Sequence, residues 1–162
     1  MPRYELTIPG PPTGKARPRV TRTGHAYTPK ETKAYETLVQ SLFISTHGKP
    51  ILEGEIHATI KAYYGLVKAD YVKNGNFSKQ GYRKLTGAVR PTKSPDVDNL
   101  AKAILDSLNK IAYNDDAQVV YLEVSKHYAV EPRVDIALFT LSEKPEIEIS
   151  LLTLEEEQPS WS

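Results

Sequence analysis

Carboxylates and one lysine dominate a single stretch of the chain. Residues 95–116 run Pro-Asp-Val-Asp-Asn-Leu-Ala-Lys-Ala-Ile-Leu-Asp-Ser-Leu-Asn-Lys-Ile-Ala-Tyr-Asn-Asp-Asp. Asp96, Asp98, Lys102, Asp106, Asp115 and Asp116 are the groups able to do chemistry there. Carboxylates without His or Cys favour a hard cation with oxygen ligands, Mg²⁺ with Mn²⁺ as a substitute. Mg²⁺ keeps waters and binds substrate phosphate, which suits phosphodiester hydrolysis. A neighbouring lysine can offset charge on the phosphate or orient a water. Both one-ion and two-ion schemes fit these residue types. A plainer reading exists for each group. Asp near a helix start caps free N–H groups, Asn-Asp-Asp is an ordinary turn, and Asp98 to Lys102 is a simple i, i+4 ion pair.

The elements that must hold these residues follow from periodicity. Val97, Leu100, Ala101, Ile104, Leu105, Leu108 and Ile111 recur at helical spacing and face a core. Asp98, Lys102 and Asp106 fall at i, i+4, i+8 on the opposite face. Pro95 marks the start and Asp96 is the expected N-cap. A helix of about 13 residues spans roughly 20 Å, so Asp116 lies far from Asp96 along it. Asp116 returns to Asp96 only if the following strand begins beside the helix N-terminus. That strand is expected over Gln118–Tyr128, as an inner strand pairing antiparallel with a last strand, Arg133–Leu141.

The order of residues carries a resemblance. Asp-Val-Asp-Asn-Leu-x-Lys-x-x-x-Asp-x-Leu-Asn followed by Asn-Asp-Asp-Ala-Gln-Val-Val resembles the RusA family of Holliday-junction resolvases. The likeness covers residues 91–128 closely, and the N-terminal strand and the loop after it more loosely. It implies a Mg²⁺-dependent endonuclease that acts as a homodimer and nicks two opposed strands of a four-way DNA junction. It assigns Asp96, Asp98 and Asp116 as metal-binding carboxylates and Lys102 as the accompanying active-site lysine. A flap or single-strand nuclease, and a non-catalytic junction-binding protein, remain as alternatives that substrate preference and EDTA distinguish.

Charge distribution agrees with a polyanionic partner. The net charge is +1, but residues 1–95 hold 16 Lys+Arg against 6 Asp+Glu, and residues 96–162 hold 5 against 14. The balance is therefore +10 followed by −9. Acidic clusters repel DNA unless cations bridge them, so the split suits a metal-loaded site beside phosphate-binding segments. There are no cysteines, which excludes disulfides and thiolate metal sites. His25, His47, His57 and His127 lack ligand spacing, and neither a dinucleotide-binding nor a P-loop pattern occurs. No stretch reaches membrane-spanning length, so the expectation is a cytoplasmic protein.

In chain order, Arg3–Ile8 reads as a strand ended by Pro9-Gly10-Pro11-Pro12. A Pro- and Gly-rich loop follows. Its cations Lys15, Arg17, Arg19 and Arg22 are expected to contact DNA phosphates, with His25 and Tyr27 near a sugar or base. A helix then opens with Thr28 as N-cap and Pro29 at N1, and Gly48 closes it. Its apolar face is Tyr35, Leu38, Val39, Leu42 and Phe43. Alternation from Glu55 to Tyr64 predicts a strand burying Ile56, Ala58, Ile60 and Ala62. Residues 65–94 are basic, with Tyr71, Phe77 and Tyr82 interleaved, and read either as a DNA grip or as a mobile loop. The expected fold is α+β and RusA-like, a mixed sheet of about four strands packed with two main helices over residues 1–141. Residues 142–162 are expected to form an acidic tail.

Overall fold

A computed structural model of the chain describes residues 2–140. The expected acidic tail lies outside the described residues.

Among the described residues, six strands and three α-helices make the fold. In order they are β1 (Arg3–Pro9), β2 (Arg19–Val20), β3 (Ala26–Tyr27), α1 (Lys30–His47), β4 (Ile56–Tyr64), α2 (Lys79–Leu85), α3 (Val97–Ser107), β5 (Val119–Tyr128) and β6 (Arg133–Thr140). β2 and β3 form a small hairpin in the basic loop. The other four make one mixed sheet in the order β1-β6-β4-β5. The arrangement is α+β, with α1 and α3 as the two long helices and α2 as a short third.

β4 is the centre of the sheet because its alternation buries one face completely. Ile56, Ala58, Ile60 and Ala62 are all 0% exposed. They meet Val39 and Phe43 of α1 and Leu100, Ile104 and Leu108 from α3 and its end in one core. Burying such side chains stabilises by about 1.5–3 kcal/mol each, which pins the register.

Three expectations are corrected here. β5 does not pair with β6; β4 lies between them, antiparallel to β6 and parallel to β5. The long crossover from β4 through α2 and α3 permits that parallel pairing, which a short turn cannot. β5 is accordingly an edge strand, not an inner one, and Val120, Tyr121 and Leu122 are exposed on it. Third, the N-cap of α1 is Pro29, without a side-chain capping bond, so Thr28 lies one residue outside. Leu38 of the expected α1 apolar face is also 37% exposed, at the margin of the stripe.

Candidate active site on helix α3

α3 lies along the sheet with its two ends near opposite ends of β5. At its start, the buried Tyr64 closes β4 and donates its hydroxyl to the Pro95 carbonyl at 2.8 Å. Tyr64 pairs with Tyr128, the last residue of β5. At its finish, the turn leading to β5 meets α3 from below. The Asp116 backbone N–H donates to Asn109 Oδ1 at 2.8 Å, and the Asp116 side chain hydrogen-bonds with Asp106. β5 thus starts at the C-terminal end of α3. Asp116 meets α3 at Asp106, toward the C-terminal end of the helix. From Asp98 to Asp106 is eight residues, about 12 Å of helix.

The N-terminal end carries Asp96, Asp98 and Lys102, all exposed. Asp96 occupies the N-cap position, yet its carboxylate makes no capping hydrogen bond. Asp98 and Lys102 form no ion pair, although helix geometry allows one. The capping bond and the i, i+4 ion pair are therefore both absent here, and only the helix dipole is left to Asp96 and Asp98 as a structural partner. Around them stand Lys126 and Lys93, whose ammonium groups lie 5.1 and 5.9 Å from the Tyr64 ring centre. Lys126 also donates to the Lys93 carbonyl. Burial, the charge on Asp96 and Tyr128 push the Tyr64 hydroxyl up to about 12, so it stays a donor.

The C-terminal end is built differently. Asp115 is a true capping residue: its Oδ1 accepts from Ala117 N–H at 3.0 Å, and Gln118 Oε1 accepts from Asp115 N–H at 3.1 Å. Asp116 is left facing Asp106. Burial, with the hydrogen bonds and charges of Asp106 and Asp115, raises the Asp116 carboxyl to about 6. Burial also disfavours charge on Asp106. Hydrogen bonds from Lys15 and Asp116, with the charges of Lys15 and Lys102, outweigh this and hold Asp106 below the usual range. Below about pH 6 the proton between the pair therefore rests on Asp116. Tyr113 supports the turn from beneath, fully buried, its hydroxyl donating to the Leu105 carbonyl at 2.7 Å.

The four cations of the basic loop divide. Arg17, Arg19 and Arg22 are exposed. Lys15 points inward, its ammonium 2.8 Å from Asp106 Oδ2 and 3.2 Å from Glu36 Oε1. The loop base is stapled there by Lys15 N–H on the Asn99 carbonyl at 3.2 Å and Ala16 N–H on Thr32 Oγ1 at 3.3 Å. Gly14 is required at the crossing, since a Cβ would stand 2.7 Å from Pro95 Cβ and 3.2 Å from Asn99 Cβ. The sequence marks Asp106 as one of the acidic groups on the helix face without assigning it a partner, and gives Tyr64 no role. The i+4 spacing of Asp106 from Lys102 was the available signal; for Tyr64 there was none.

The donor set fits a hard divalent cation. Its oxygens are carboxylates, Asp96 and Asp98 have unused ones, and the repulsion that raises Asp116 is of the kind a cation relieves. Among the described residues no group of three or more His, Cys, Asp or Glu is gathered to hold an ion unaided. Mg²⁺ commonly needs only one or two carboxylates, with waters and substrate phosphates completing its shell.

The family model for endodeoxyribonuclease RusA matches residues 9–138, spanning the loop, all three helices, β4, β5 and most of β6. The chain belongs to the RusA family. RusA-family proteins are endonucleases of branched DNA junctions that depend on divalent metal. Among curated proteins, the chain is similar to the uncharacterized protein YqaN of Bacillus subtilis (strain 168). The two are 36% identical over 145 residues, covering 88% of this chain and 99% of that one. Asp96, Asp98, Lys102 and Asp116 all lie inside the RusA match.

Proposed function

We propose that this protein is a Mg²⁺-dependent resolvase that cuts Holliday junctions by paired symmetric nicks, in DNA recombination and repair. The observation that carries this reading is the set Asp96, Asp98 and Lys102, exposed beside one another and free of the caps and pairs that would otherwise explain them. Asp96 and Asp98 would hold the cation, which would supply Lewis-acid charge neutralisation at the scissile phosphate; the family resemblance adds Asp116, which packs against Asp106 in this structure. Lys102 stands on the same helix face as Asp98 and balances phosphate charge. Arg17, Arg19 and Arg22 in the exposed loop contact flanking phosphates. Lys15 acts from within, holding the loop against α3.

Two opposed cuts need two sites in fixed register, which a C₂ homodimer supplies. The catalytic unit lies within residues 1–141, and a cytoplasmic location suits a DNA substrate. The test is a substrate panel with purified protein: a mobile four-way junction, a flap, single-stranded DNA and linear duplex, each with Mg²⁺ and with EDTA. Paired nicks at symmetric positions of the junction, lost in EDTA, are the expected result. Preferred cutting of the flap or single strand gives a different nuclease. Junction binding unchanged by EDTA, with no product under any divalent metal, gives a non-catalytic binding protein.

A further inference from the structure

The segment between β4 and α3 is folded, and its exposed charge has no internal use. Residues 65–94 carry seven Lys+Arg and one acid, Asp70, a net of +6. Asp70 is consumed inside: it is 1% exposed and its Oδ2 accepts from Lys84 Nζ at 2.8 Å and from Val67 N–H at 2.9 Å. The Asp70 carbonyl accepts from Ser78 N–H at 2.8 Å. Gly81 passes so close that a Cβ would stand 2.3 Å from that carbonyl oxygen. Ser78 caps α2, and Tyr71, Phe77 and Tyr82 pack in sequence with ring centres 5.5 and 5.7 Å apart.

The unit is also fastened to the sheet. Lys84 lies over the Tyr128 ring at 4.9 Å. Arg90 Nη1 reaches His127 Nδ1 at 2.8 Å and donates to the Lys126 carbonyl at 3.2 Å. A mobile loop would need none of these contacts. Once Lys84 and Arg90 are spent on anchoring, Lys68, Lys73, Lys79, Arg83 and Lys93 remain exposed. None of them has a carboxylate within 4 Å among the described residues. On α2, Lys79, Tyr82 and Arg83 stand at i, i+3 and i+4 and share the outer face, with Tyr82 56% exposed. The inner side of α2 holds Gly81 and Lys84. The chain runs from this unit directly into Pro95 and Asp96.

We infer that residues 66–93 form a rigid platform for a duplex DNA arm beside the cleavage site. Lys79 and Arg83 bind backbone phosphates, and Tyr82 packs against a sugar between them. Recognition is of backbone charge, without base readout. This rests on the function proposed above, since it assumes a DNA substrate lying across α3.

The test compares wild type with the double variant Lys79→Glu/Arg83→Glu, and with Lys79→Arg as a charge-conserving control. Binding to the four-way junction and to linear duplex is measured in EDTA across a salt series. Circular dichroism checks that the variants fold. The expected result is an affinity loss of about 50-fold near 0.1 M salt, with the slope of log K against log salt shallower by about 2. Lys79→Arg keeps wild-type affinity and slope. Unchanged affinity and slope in the folded double variant overturn the platform. A wild type that shows these binding effects but cuts nothing leaves the platform standing and removes the nuclease reading. A wild type that binds neither DNA overturns both.

Discussion

The two ends of α3 hold similar residue types in opposite states. At the N-terminal end Asp96, Asp98 and Lys102 are exposed and uncommitted. At the C-terminal end Asp106 is tied to Lys15, Asp115 caps a turn, and Asp116 faces Asp106, which helps raise its carboxyl to about 6. The lysines differ in the same way: Lys102 makes no ion pair among the described residues, while Lys15 bridges Asp106 and Glu36. Availability, more than residue type, separates a group kept for a substrate from a group that holds the fold. The free end carries unrelieved charge, and the committed end keeps its geometry through internal pairs.

That contrast can be broken most sharply at the two lysines. Lys102→Ala should lower the cutting rate by about 10²-fold. Thermal stability should change by less than about 0.5 kcal/mol, because Lys102 is exposed and makes no ion pair among the described residues, acting on Asp106 only through its charge. A rate measured with saturating junction, beside a melting curve, checks both. A large loss of stability would show that Lys102 is committed after all.

Lys15→Met should reverse the pattern. Removing the ammonium leaves Asp106 and Glu36 without their partner, at a cost of about 1–2 kcal/mol at pH 7, discounted for partial solvent screening. Asp106 is held below its ordinary range, so the stabilisation is present above pH about 4 and fades as pH falls below it. Urea unfolding should therefore show the full cost at pH 7 and a smaller one at pH 3.5. Salt dependence of DNA binding should move less than for Arg17→Ala or Arg19→Ala, whose side chains are exposed.

Asp116→Asn gives the least intuitive effect. The Asp116 carboxyl is raised to about 6, so its charged form opposes folding above that pH. Neutralising it should stabilise the metal-free protein by about 1 kcal/mol at pH 8, after screening, with the gain vanishing below pH about 4. Cutting should nonetheless be lost. Titration of the Asp116 carboxyl by carbon-13 NMR should give a midpoint near 6 without metal and a lower one with Mg²⁺.

How far the chain could be read varied with the range of the interactions involved. The alternation of β4 was legible because one face is fully buried and a one-residue slip would expose it. α3 was legible from its apolar stripe, although Val97 at its first turn is 45% exposed. The partner of β5 was not legible, because pairing depends on where a crossover of more than fifty residues sets the strand down. Its exposed Val120 and Leu122 read as core in sequence and belong to an edge in the fold. The inward turn of Lys15 depends on Asp106, 91 residues away, and on a glycine crossing against Pro95. The order within residues 65–94 rests on one buried ion pair, Asp70 with Lys84, which no periodicity announces.

The most direct measurement is a side-by-side assay of wild type and Asp98→Asn on one synthetic four-way junction in Mg²⁺, reading binding and strand-specific cleavage together. The exposed, unpaired Asp98 predicts a variant that folds normally, binds the junction as tightly as wild type and leaves both strands uncut. Wild-type cleavage by Asp98→Asn would contradict the assignment of the free end of α3 as the catalytic one.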